Sequence, residues 1–156
     1  MARQRFLITL RWSDMDAYGH VNNVQFLRLL EDARVLAFHG HDPEDGDNDL
    51  LSSGLIVARH EIDYVTPLHY RPEPVAIDLW VSQISGAHLE MDYEVLDTGS
   101  DGAAQPVVYA RAQSTMVSYN LDTGRPRRFT PSERELLAGW VDEPIRLRSR
   151  QKRVRR

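Results

Sequence analysis

The segment Asp14-Met15-Asp16-Ala17-Tyr18-Gly19-His20-Val21-Asn22-Asn23 sets two carboxylates, a phenol and an imidazole directly ahead of a helix. The run before it, Arg5 to Trp12, is β-prone. The run after it, Val24 to Phe38, is apolar at helical spacing, with Asn22 or Asn23 as a natural N-cap. A helix N-terminus offers unpaired N–H groups and the positive end of the helix dipole, both of which favour developing negative charge. An acid beside such an end points to chemistry on a carbonyl: the acid activates water or attacks the acyl carbon, and the amides receive the charge gathering on oxygen. Asp16 is the leading catalytic candidate, its competing role being a structural carboxylate that satisfies turn amides. Asp14 reads as a turn-ordering group accepting local backbone bonds. Tyr18 and Gly19 shape the loop, Gly19 supplying a backbone conformation closed to other residues. His20 stands evenly between structural and functional roles.

The wording D-x-D-A-Y-G-H-V-N-N followed by an apolar helix resembles the hotdog-fold thioesterases of the 4-hydroxybenzoyl-CoA thioesterase-like family. With weaker motifs the likeness extends over the strand region from about Gly54 to Tyr119. The resemblance implies an α+β fold in which a curved antiparallel sheet of about five strands wraps one long central helix and subunits join edge to edge. It implies that Asp16, the second acid of the pair, is catalytic and that a backbone N–H at the start of the helix, expected at Asn23, polarises a thioester carbonyl. His20 is carried over from the related plant acyl-carrier-protein thioesterases. Their Asn two residues after the Asp is not carried over, because Tyr18 stands there. Tyr18, Gly19 and Asn22 are expected along the substrate, and no metal or bound cofactor is required.

The elements around this turn can be read independently of the resemblance. Val24, Phe26, Leu27, Leu29, Leu30, Ala33, Leu36 and Ala37 cover more than half of the helical circumference and leave Arg28, Glu31 and Asp32 as a narrow polar stripe, so the helix is expected to be mostly surrounded. Arg28 with Asp32, and Glu31 with Arg34, have the spacing for helical ion pairs worth a few tenths of a kcal/mol. Four β segments follow, about Gly54 to Thr66, Val75 to Ile84, His88 to Leu96 and Pro106 to Tyr119. Their alternation leaves one sheet face wet. Ala110, Ala112 and Ser114 share a face and would let a helix lie close. Turns are marked at Thr66-Pro67, Arg71 to Pro74, Ser85-Gly86 and Thr98 to Gly102. A short helix opens at Pro131 and runs to about Gly139, with Thr130 as its cap and Glu133 completing a capping box. One strand, one long helix and then four strands fit α+β rather than an alternating doubly wound sheet.

The chain of 156 residues fits one domain, residues 1–141, with a basic and flexible tail expected over 142–156. A single layer of this size leaves a sheet edge and a helix face in need of cover, so a homodimer or homotetramer with its active site at the subunit interface is expected. There is no cysteine, which excludes thiol nucleophiles, disulfides and Cys-based metal or cluster sites. Only Phe6 to Leu10 separate Arg5 from Arg11, too few for a signal-peptide core, and no run approaches membrane-spanning length. A cytoplasmic location is therefore expected.

The net charge of −4 hides an asymmetry, because Arg146 to Arg156 carries seven basic residues and no acid. The remainder holds 12 basic and 23 acidic residues. Such a body repels phosphates, so a coenzyme A phosphate must meet a local cluster, for which Arg127 and Arg128 beside Arg125, or the tail, are available. Arg59, His60, Glu61 and Asp63 interrupt a strand-like stretch. His60 or Glu61 is read either as facing a site from the neighbouring subunit or as lying on an exposed edge strand.

Several classes are excluded by pattern. The acidic segment His41 to Leu50 has the wrong glycine and glutamate spacing for a calcium loop, and His39 and His41 read as surface groups. There is no G-x-S-x-G elbow, no glycine-rich phosphate loop and no D-x-N-P-x-H hydratase pattern. The expected activity is hydrolysis of a fatty-acyl or aroyl-CoA thioester. An acyl-carrier-protein thioesterase is the nearest variant and a non-catalytic acyl-CoA-binding dimer the alternative of another class. Nucleic acid is not expected as a partner, and an RNA role would rest on the tail alone.

Overall fold

A computed structural model describes residues 2–39, 54–97 and 106–151. The elements are β1 (Gln4–Ile8), a 3-10 turn (Trp12–Asp14), α1 (Asn23–His39), β2 (Leu55–Tyr64), β3 (Val75–Ile84), β4 (His88–Leu96), β5 (Val108–Asn120), β6 (Arg125–Pro126), α2 (Pro131–Ala138) and α3 (Arg148–Gln151). The expected segment His41 to Leu50, the turn Thr98 to Gly102 and the tail beyond Gln151 lie outside the described residues. The sheet is antiparallel in the order β1-β3-β4-β5-β2, and the two-residue β6, which the alternation does not reveal, pairs with β5. This is the hotdog arrangement of a sheet around one long helix.

The period-2 pattern of β3 and β4 explains which face meets α1. Ile77, Leu79 and Val81 on β3 and Leu89, Met91 and Tyr93 on β4 are fully buried, and they share one core with Phe26, Leu29, Leu30, Ala33 and Ala37 of α1. Each such side chain contributes roughly 1.5–3 kcal/mol of burial, which dwarfs the ion pairs on the helix surface. Arg28 and Asp32 form the expected pair. Arg34 does not join Glu31. It turns inward, is only 7% exposed, and donates to the Tyr93 hydroxyl at 3.2 Å. The exposed surface of α1 is also less polar than its stripe suggests, because Val24, Val35 and Leu36 face outward.

Ala110, Ala112 and Ser114 are buried as expected, but the backbone of α1 approaches β1 and β3 most closely.

The second face of the sheet differs from the expectation of a wet surface. After α2, whose Thr130–Glu133 capping box is present as read from the sequence, Trp140 stacks on Phe38 with ring centroids 5.5 Å apart and the chain then crosses the outer face. Glu143 O accepts from the Trp80 indole N–H, Ile145 N–H donates to Asp92, and Arg148 N–H donates to Asp63. Ile145 and Leu147 pack with Trp80. Residues 142–149, expected as the start of a solvated tail, thus lie as a strap from β3 to β2. The reason is that the outer residues Trp80, Asp92 and Asp63 offer an apolar plate and two acceptors that the strap backbone can use. Asp92 is fully buried, held by Ile145 N–H and by Gln113 Nε2 at 2.7 Å.

Candidate active site

The turn between β1 and α1 is built by its two acids in different ways. Asp14 is fully buried, and its carboxylate accepts from Arg11 N–H at 2.8 Å, Arg11 Nε at 3.2 Å and Arg28 Nη2 at 2.7 Å. Its own carbonyl accepts from Asn22 N–H at 2.8 Å. Asp14 therefore ties the end of the 3-10 turn to the first turns of α1. Charge-assisted bonds of this kind are the strong ones.

Asp16 is half-buried. Its Oδ1 accepts from Tyr18 N–H at 2.8 Å and His20 N–H at 3.2 Å, and Gly19 N–H closes a β-turn onto Asp16 O at 3.2 Å. Gly19 has φ +76°, the left-handed region, so the tight return of the chain depends on it. The second oxygen, Oδ2, has no hydrogen-bond partner among the described residues, and this separates Asp16 from the saturated Asp14. One oxygen thus orders the turn, and the other is unengaged among the described residues.

The loop is fastened to the segment after β2. Val21 N–H donates to Leu68 O at 2.7 Å, His20 and His69 pair as a short bridge, and their rings meet edge to face with centroids 4.8 Å apart. Asn22 is the N-cap of α1, accepting from Val24 N–H through Oδ1 at 3.2 Å. Asn23 is the first helical residue. Its N–H has no hydrogen bond among the described residues, and its carbonyl accepts from the Tyr64 hydroxyl at 2.9 Å. Burial holds the Tyr64 phenol above its ordinary pKa, so it stays a neutral donor. Tyr64 also meets Phe26 edge to face at 5.3 Å.

These residues enclose a cavity of about 260 Å³ lined by Asp16, His20 and Asn23 on one wall and by Phe26, Tyr64 and the 65–68 segment on the other. Asp16, His20 and Asn23 are brought together, and Tyr18 stands at the loop tip, 84% exposed. Tyr18, Gly19 and Asn22, expected along the substrate, do not line the cavity within one chain. His60 does not line this cavity. It lies further along β2, where Nδ1 shares a 2.7 Å hydrogen bond with Ser114 Oγ. Burial first, and the Arg34 charge second, hold His60 below its ordinary pKa, with Glu31 opposing them.

Arg127 and Arg128 are not brought to the cavity within one chain. Val65 N–H meets Tyr109 O near the start of β5, whereas Arg127 N–H meets Ser118 O near its end, about 30 Å along the strand. The Arg127 guanidinium is engaged by Glu133 at 2.7 and 2.9 Å. Sequence reasoning missed Tyr64, Phe26 and His69 as site residues. The only sequence signal for Tyr64 is an aromatic at a strand end two residues before Thr66-Pro67, and nothing in the spacing links it to α1.

A hotdog sheet with a half-free carboxylate and an unpaired helix-initiating amide in one cleft is an arrangement suited to acyl transfer. The family model of the thioesterase-like superfamily matches residues 10–140, and the chain belongs to this superfamily. A thioesterase from Thermus thermophilus, complexed with coenzyme A and Zn, is 27% identical with a TM-score of 0.70, the match covering 90% of this chain and 96% of that one. A protein from Bacillus stearothermophilus described as a predicted thioesterase is 27% identical with a TM-score of 0.75, covering 92% and 99%. The 1,4-dihydroxy-2-naphthoyl-CoA thioesterase of Synechocystis, 22% identical with a TM-score of 0.66 over 91% and 99%, shares the fold. A comparison with curated proteins finds no match. The superfamily and these neighbours support thioester hydrolysis as the class of reaction.

Proposed function

We propose that the protein hydrolyses an acyl-CoA thioester, with Asp16 as general base or nucleophile and the Asn23 N–H receiving the carbonyl oxygen. The observation that carries this reading is the shared cavity: Asp16, with Oδ2 unengaged, and Asn23, with its N–H unengaged, line the same cleft at the start of α1. Removal of one oxyanion donor costs about two to three orders of magnitude in rate, so an amide fixed by the helix itself is a large part of the expected catalysis. His20, held by its backbone to Asp16 and by its ring to His69, orients the loop at the mouth of the cleft.

The reading includes a second copy of the chain. A cavity of about 260 Å³ is smaller than the roughly 300–1,000 Å³ that usually holds a drug-sized ligand, so one chain accommodates the thioester end only. The outer edge of β2 is unpaired among the described residues, and exposed apolar Ile56 and Val57 on it, with Val35 and Leu36 on α1, are the surface that a partner copy covers.

The test is thiol release from acyl-CoA substrates of graded chain length, and from the same acyl groups on a carrier protein, with the wild type and Asp16→Ala. Hydrolysis of CoA substrates that vanishes in the variant supports the reading, and equal rates in both proteins remove Asp16 from it. Tight acyl-CoA binding without thiol release in the wild type would establish the binding-only alternative.

A further inference from the structure

One cationic group in the core is not explained by the reaction at Asp16. Arg34 is only 7% exposed, and among the described residues it makes one hydrogen bond, to the Tyr93 hydroxyl at 3.2 Å, and has no carboxylate within ion-pair distance. Its other guanidinium nitrogens are not among the buried side-chain atoms without a partner, so they reach the surface of the seam and are open to an acceptor, best an anionic one. The polar groups nearest it are the Tyr93 hydroxyl, which burial keeps protonated, and the His60 ring with the Ser114 Oγ it bonds; Glu31 acts on His60 and Asp92 on Tyr93 by charge alone. Glu31, one turn earlier on α1, is exposed and makes no ion pair with Arg34.

The place of this cluster is set by two rulers. Along α1, Arg34 lies eleven residues beyond Asn23, about 16 Å at the helical rise. Along β2, His60 lies four residues from Tyr64, about 13 Å at the strand rise. Tyr64 bonds Asn23 at one end of this seam and His60 feels the Arg34 charge at the other, with Leu27 of α1 and Ile62 of β2 partly buried against the core. The seam is thus polar at the thioester end, apolar over its middle and cationic at its far end.

We infer that Arg34, Tyr93, Ser114 and His60 form a distal subsite for an acyl group that carries an acceptor oxygen, best a carboxylate, roughly 13–16 Å from its thioester carbonyl. The inference rests on the proposed reaction only for the direction in which the acyl chain runs. A plain alkyl end would displace water from the guanidinium and offer no acceptor in its place. A carboxylate would take two of its donors in the side-by-side geometry that arginine favours.

The experiment compares acyl-CoAs of matched length ending in methyl, hydroxyl or carboxylate, using the full chain, with each rate divided by that for acetyl-CoA, which ends before the seam. The wild type is expected to favour the carboxylate end over methyl by about tenfold to a hundredfold in kcat/KM, with hydroxyl between them. In Arg34→Met the preference is expected to invert, and in the milder Ser114→Ala to shrink severalfold. A wild-type preference for methyl, or a ratio unchanged by Arg34→Met, overturns the subsite. An unchanged ratio with loss of the oligomer on sedimentation would show that Arg34 pairs with an acid of a second copy, which also overturns it. Should acetyl-CoA and every longer substrate resist hydrolysis, the proposed reaction fails by itself. Calorimetric binding of the same series to wild type and Arg34→Met then decides the subsite on the same ratio. Because Arg34→Met can fail to fold, Tyr93→Phe, which removes only the hydroxyl, serves as its companion, and a ratio it leaves untouched counts against the inference.

Discussion

Asp14 and Asp16 are separated by one residue and are expected to respond to the same substitution in opposite ways. In Asp16→Asn the side-chain oxygen still accepts from Tyr18 and His20 N–H, so the turn persists and stability changes by less than about 1 kcal/mol. The base or nucleophile is lost, and thioester hydrolysis falls by at least about a hundredfold. In Asp14→Asn an amide group replaces an oxygen that faces Arg11 and Arg28, and a donor then confronts donors. Breaking a buried ion pair by removal of one partner costs about 3–5 kcal/mol. The side chains of Arg28 and Arg11 are 23% and 56% exposed and Arg28 keeps Asp32, so the loss is discounted to about 2–3 kcal/mol. For a chain of this size that corresponds to roughly 5–10 °C in Tm. Urea and thermal unfolding followed by circular dichroism measure the stability, and thiol release under conditions where each variant is folded measures kcat. The reverse outcome, Asp16→Asn losing stability with its rate intact while Asp14→Asn keeps its Tm and loses its rate, would refute the division of roles.

Three further outcomes follow from the same geometry. Because His60 is held below its ordinary pKa, folding favours its neutral form; the stability this represents is whole above about pH 6.5 and is lost as pH falls below that through the depressed value, so the drop in urea midpoint between pH 7.5 and 5.5 should be smaller in His60→Gln. Burial alone would raise Glu133, but the Arg127 hydrogen bond and the Thr130 N–H outweigh it and leave its carboxyl below the usual range. Its contribution is present at neutral pH and lost on acidification through that lowered value, and Glu133→Gln should cost about 1–2 kcal/mol at pH 7 and less at pH 3 by chemical denaturation. Gly19→Ala meets no atom within 4 Å yet must hold φ +76°, so differential scanning calorimetry should show a loss of about 1–2 kcal/mol from backbone strain alone, with Gly19→Asn losing less.

Much of this protein is legible along the chain because the signals are local. The bounds of β3 and β4, the run of α1, the capping box of α2 and the local backbone bonds of Asp14 and Asp16 arise from alternation, helical periodicity and side-chain-to-backbone bonds a few residues apart, which a linear pattern records. The position of Asn22 as cap and Asn23 as first helical residue is of the same kind. Other features are decided only when strands distant in sequence meet. Tyr64 reaches Asn23 across 41 positions, Arg34 turns from its helical neighbour Glu31 to Tyr93 across 59, and Ile145 settles on Asp92 across 53. Those choices depend on which polar atoms the closed sheet leaves without water, and desolvation is a property of the packed molecule rather than of any window of sequence. The turn that holds Asp14 and Asp16 was therefore written in the chain, whereas the wall opposite it, the strap over the outer face and the inward turn of Arg34 came into being with the fold.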